Sequence, residues 1–126
     1  MAYGAAGMSD SSETALPSVT DRFGHIASMI REVEAILSGI SRQELIDDWR
    51  KRMALERMLE IISVASEHIP ANIKAAETDV DWQAIADIGQ RLENTRDRIE
   101  AEVLWAISHD TLPSLKACTE RHLRES

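Results

Sequence analysis

The stretch best equipped for chemistry in this 126-residue chain is 89–98, GQRLENTRDR. It places Arg91, Arg96 and Arg98 around Asn94, with Gln90 beside it. Arginine carries a fixed charge and a planar fork of donors, so such a cluster suits a phosphate group. Asn94 can orient a water but does not titrate, so it cannot carry a proton. Glu93 and Asp97 are interleaved with the arginines, and the competing reading is a solvated helix face laced with ion pairs. The nearest histidines in sequence are His68 and His109. No Gly-rich phosphate loop, paired cysteine set or His-x-x-x-His pattern occurs, so neither a metal nor another cofactor is expected. Cys118 has no partner for an internal disulfide. It reads as a small buried residue without a metal-ligating neighbour, in a reducing and therefore cytoplasmic setting.

The element that must carry residues 89–98 begins at Asp81, whose side chain can cap a helix started by Trp82. Ile85, Ile88, Leu92, Thr95 and Ile99 follow at three-and-four spacing and turn one stripe towards a core. Gly89 costs such a helix about 1 kcal/mol relative to Ala, and permits either close helix approach or simple decay. A last helix is expected from about Ala101 towards Leu123, with Glu100 and Glu102 as ordinary N-terminal acids. Pro113 should kink or restart it over His109–Leu112, with Asp110 or Thr111 as the cap. Trp105 is expected to be the largest core aromatic, near Trp82, with a base-stacking platform as the alternative.

Upstream, Val19, Phe23, Ile26, Ile30, Val33, Leu37 and Ile40 form the seam of a helix over 19–37, closed by Ser38-Gly39. His25 lies one position off that seam and reads as a boundary residue. Ser41 and Glu44 form a capping box for a short helix through Leu45 and Ile46. A long helix over 49–69 carries two apolar stripes. Leu55, Leu59, Ile62 and Ile69 make the first; Ala54, Met58, Ile61 and Ala65 make the second. That width suits either a central position or a partner surface, with Met58, Ile61 and Ala65 as the candidate dimer face. Met53 and Met58 are read as core fillers. Pro70 stops this helix, 71–76 allow a turn or two, and Glu77–Val80 form a polar connection.

Composition sets the class. Hydrophobic residues make up 44% and aromatics 4%, so the core must be aliphatic, and strand-like alternation is absent. The expectation is an all-α antiparallel bundle of four to five helices, up-and-down, over 18–126. Residues 1–17 are expected to be a disordered tail without signal-peptide character, in which Met8 offers a second start after Met1. No segment approaches membrane-spanning length. A net charge of −8 repels nucleic acid at long range, so RNA would need a locally basic patch.

The order Asp81-Trp82, Ile85-Ala86, a polar helix face, Trp105 and then Leu112-Pro113-x-Leu115-Lys116 resembles the HepT-like branch of the HEPN family. LEIISVASEHI (59–69) is similar to that family's Leu-Glu-Ile-Ile-Gly-Glu-Ala helix, with Ser63-Val64 where the family has Gly-Glu. The resemblance implies an RNase-toxin fold whose two protomers share a cleft, and a minimal nucleotidyltransferase antitoxin as partner. Its metal-independent chemistry uses Arg-x-x-x-x-His-x-Tyr. A histidine moves a proton and an arginine stabilises charge building on phosphorus. Here the matching slots hold Gly89, Asn94 and Arg96, with Gln90 after the first and Arg98 at a later Gly slot. The resemblance therefore implies a homodimeric binding module with a degenerate site, touching RNA weakly through Arg91, Asn94, Arg96 and Arg98. An active RNase with relocated residues and an unrelated structural bundle are the alternatives.

Overall fold

A computed structural model of the chain describes residues 17–94 and 99–125. The expected tail over 1–17 therefore falls almost wholly outside the described residues, as do Thr95, Arg96, Asp97 and Arg98. The architecture is an all-α bundle: α1 (Val19–Leu37), α2 (Arg42–Asp47), α3 (Trp49–Glu67), α4 (Ala71–Ala76), α5 (Trp82–Asn94), α6 (Ala101–Ala106), a π turn (Ile107–Thr111) and α7 (Leu112–Glu125). Helix α3 is central, packing on α1 along one side and α5 along the other, while α7 lies against α1.

Local chemistry sets most boundaries. Ser18 caps α1 by accepting from the Asp21 N–H at 3.0 Å, and Gly39 leaves the helix with φ +75°. Ser41 and Glu44 close the expected capping box on α2. Arg52 then donates back to the carbonyls of Leu45 and Ile46, satisfying acceptors that the end of α2 leaves open. Asp81 accepts from the Ala84 N–H at 3.0 Å as the entry to α5.

Phe23, Ile26, Leu45, Leu55, Leu104, Leu115 and Cys118 are shut off from solvent completely. Burial of an aliphatic or Phe side chain contributes about 1.5–3 kcal/mol, so the seam of α1 and the first stripe of α3 hold the bundle together.

Several expectations are corrected. The interruption expected over His109–Leu112 is present, with an α-helix resuming at Leu112, but it takes another form than a capped restart. The backbone widens into a π turn in which the Leu112 N–H reaches the Ile107 carbonyl, and neither Asp110 nor Thr111 caps it. Trp105 is only half-buried and stacks on His109 at 4.0 Å; the aromatic of the core is Phe23. Met53 is exposed and fills no core, whereas Ala65 is 3% exposed and belongs to the core. Of the second stripe, Ala54, Met58 and Ile61 therefore reach the surface.

Candidate functional site: the cleft between the third and fifth helices

Gly89 and Ser63 fix the crossing of α3 and α5. A β-carbon on Gly89 would lie 1.9 Å from Ser63 Oγ and 2.4 Å from Ser63 Cβ, so only a glycine lets the helices approach this closely. Between the two readings of Gly89, the geometry selects packing. Beyond the contact the helices diverge into a shallow cleft of about 210 Å³. Ser63, Val64 and Glu67 of α3 line one wall; Gln83, Ala86, Asp87, Gly89, Gln90, Glu93 and Asn94 of α5 line the other.

The cleft thus brings together Gly89, Gln90 and Asn94 with Ser63 and Val64, residues singled out separately in two stretches of sequence. Its charged lining residues are Glu67, Asp87 and Glu93, with no cation or imidazole among those described. Gln83 donates to Asp87 at 2.8 Å along the rim. Arg91 is exposed on α5 but does not line the cleft, and Arg96 and Arg98 lie outside the described residues. A phosphodiester here would meet carboxylates, which raise its energy rather than lower it.

The histidines are dispersed. His68 follows α3 next to Glu67, and its Nδ1 sits 2.9 Å from the Val64 carbonyl. A carbonyl can only accept, so that nitrogen is the donor. His109 makes the same bond to Trp105 at 2.9 Å, but in a different place. It lines a groove of about 450 Å³ between α1 and the π turn with α7, crossed by the Glu34–Lys116 ion pair at 2.7 Å. That groove is the larger of the two concavities, yet neither Gly89 nor Asn94 opens into it. His25 is exposed on α1.

Sequence reasoning missed a second cluster. Cys118 does have a metal-ligating neighbour: His122 stands one helical turn further along the same face of α7. Glu77, from the polar connection after α4, reaches both His122 Nε2 at 2.8 Å and the Arg121 guanidinium. Burial pulls the Glu77 carboxyl upward, but the hydrogen bonds and charges of His122 and Arg121 outweigh it and hold the group below its ordinary range. Burial, reinforced by the Glu77 charge, pushes the Cys118 thiol up to about 11. The i,i+4 spacing of Cys118 and His122 was the one signal in sequence; nothing local pointed to Glu77.

The described elements thus form an all-α bundle with a polar cleft at the crossing of the third and fifth helices. The ribonuclease HepT-like family model matches residues 26–122, and the chain belongs to that family. It is 29% identical over 101 residues to a "Probable ribonuclease HepT" of Thermococcus cleftensis, covering 80% of this chain and 92% of that protein. No solved structure matches significantly. Family membership removes the reading as an unrelated structural bundle. No helix among the described residues is long and apolar enough to cross a membrane.

Proposed function

We propose that the chain is a catalytically silent HepT-like protein that acts as a homodimeric helical binding module in the cytoplasm. The observation that carries this reading is the lining of the α3–α5 cleft, in which Gly89 and Asn94, matched by the family resemblance to a cation and a proton carrier, lie with three carboxylates. Loss of a general base alone removes about 10²–10⁴-fold of rate. Loss of an electrostatic stabiliser removes about 10²–10³-fold in systems where it has been measured. The two factors need not multiply, since groups that act as a unit are not additive, but either one leaves little turnover. Contact with RNA is then weak and falls steeply with salt, because Arg91, Arg96 and Arg98 oppose a chain of net charge −8. A minimal nucleotidyltransferase is the partner that the family resemblance suggests.

A second reading has one observation in its favour: His68 directly follows Glu67, which lines the cleft, and is held by its Nδ1 bond to the Val64 carbonyl. Purified protein incubated with single-stranded RNA in chelator decides between the two. The expected result is intact RNA and normal growth on expression. Robust cleavage that disappears in His68→Ala but survives in Asn94→Ala would establish relocated chemistry instead.

A further inference from the structure

We propose that Glu77, Cys118 and His122 form a binding site for a thiophilic divalent transition ion of the Zn²⁺ type. Their ligand atoms, a carboxylate oxygen, a sulfur and an imidazole nitrogen, all lie within 4.8 Å of one another. That mixed set suits a borderline-soft ion that accepts tetrahedral geometry, and is a poor match for Mg²⁺ or Ca²⁺.

The site is built rather than accidental. Cys118 and His122 are presented by one face of α7, and the His122 ring is held against Phe23 at 4.4 Å with the planes 9° apart. Arg121 occupies one oxygen of Glu77, which turns the other oxygen towards His122. That arrangement is the outer support that oriented metal ligands require. The Glu77 carbonyl accepts from the Trp82 indole at 3.3 Å, tying the connection to the start of α5. Cys118 is closed to solvent, whereas the His122 and Glu77 side chains are 25% and 16% exposed, so an ion has a way in.

Binding draws together three ligand atoms that already lie within 4.8 Å of one another. Bonds of about 2.0–2.1 Å at tetrahedral angles set the Nε2 to Oε2 separation near 3.3 Å, against 2.8 Å in the present hydrogen bond. The metal–sulfur bond forms as the Cys118 S–H bond breaks, and that proton leaves to solvent. The proton that Nε2 shares with Glu77 also passes to solvent, and the metal-bound imidazole stays neutral with its proton on Nδ1. Thiolate and carboxylate together neutralise the double positive charge, while Arg121 stays on the outer oxygen. Three protein ligands leave a fourth position for water. Without an ion the thiol keeps its proton, because burial and the Glu77 charge both oppose the thiolate.

The test is titration of the purified, reduced full chain with Co²⁺ and Zn²⁺ after treatment with chelator. One equivalent of Co²⁺ should give a thiolate-to-cobalt charge-transfer band with the visible bands of a tetrahedral complex, and Zn²⁺ should raise the melting temperature. Cys118→Ser should abolish the charge-transfer band, and His122→Gln or Glu77→Gln should weaken binding roughly tenfold or more. His109→Ala should leave it unchanged. No saturable binding at micromolar metal, a complex without the charge-transfer band, or a band that persists in Cys118→Ser would each overturn the proposal. Since the band is read in the unmodified chain, a Cys118 variant that fails to fold does not rescue it.

Discussion

Ser63 and Gly89 exclude each other's side chains at the crossing of α3 and α5, since a β-carbon on Gly89 would come within 1.9 Å of Ser63 Oγ. The family pattern that the chain resembles has the reverse order, a glycine at slot 63 and an arginine at slot 89. A side chain at 63 is therefore accommodated only while position 89 is glycine, whereas glycine at both positions would clash with nothing.

The coupling is measurable. Overpacking costs about 1–3 kcal/mol, against about 1 kcal/mol that Ala gains over Gly as a helix former, so Gly89→Ala should destabilise the fold by about 1 kcal/mol in urea unfolding. Ser63→Gly should relieve that cost, whereas Ser63→Ala should not, because the nearest fixed atom is Ser63 Cβ at 2.4 Å. Additive effects of Gly89→Ala and Ser63→Gly would show that the two residues do not touch.

Reconstruction of the catalytic motif has to respect the same contact. Gly89→Arg with Asn94→His should fold poorly, while the addition of Ser63→Gly should recover the helical signal and the cooperative transition. If the cleft is then competent, the triple variant cleaves single-stranded RNA without metal where the parent does not. A stable, well-folded Gly89→Arg variant that retains Ser63 would contradict the packing account.

Self-association should depend on the open side of α3. Met58 and Ile61 are half-buried in the isolated chain, and Trp49, Met53 and Val64 are 49%, 57% and 43% exposed. Trp49, Met53 and Val64 are the exposed large hydrophobic side chains among the described residues, and all three lie on α3. Light scattering at tens of micromolar should report a dimer, and Met58→Glu or Ile61→Glu should shift it towards monomer. A clean monomer for the parent chain, or a dimer that neither substitution weakens, would remove this face as the interface.

Two groups tie stability to pH at opposite ends. Glu77 is held below its ordinary range when folded, so its contribution is present above the unfolded carboxyl value near 4.5 and is lost as pH falls through the lower folded value. Cys118 is raised from 9.0 to about 11, so its contribution is complete below 9 and declines as pH rises towards 11. Unfolding midpoints measured across pH should fall on both flanks. Glu77→Gln should flatten the acid flank and Cys118→Ala the alkaline one, each with little change in slope on the other side.

Much of the fold was legible without coordinates. The seam from Val19 to Leu37, the Ser41–Glu44 box, the stop at Pro70 and the Asp81 cap depend on residues within a few positions of one another, and each is found in the structure. The family resemblance itself was also legible, because a family pattern is a matter of order along the chain.

What the chain order left open is whatever two helices decide between them. Pro113 forbids a regular α-helix, yet only packing along the last rod determined that the backbone would widen into a π turn. Gly89 allowed both decay and close approach until Ser63 was placed against it. Glu77 read as loop polarity, and met His122, 45 residues later, only through folding. Periodicity and capping are short-range and repeat in sequence; side-chain exclusion and convergence of ligands depend on where separate helices cross, and no local rule specifies that.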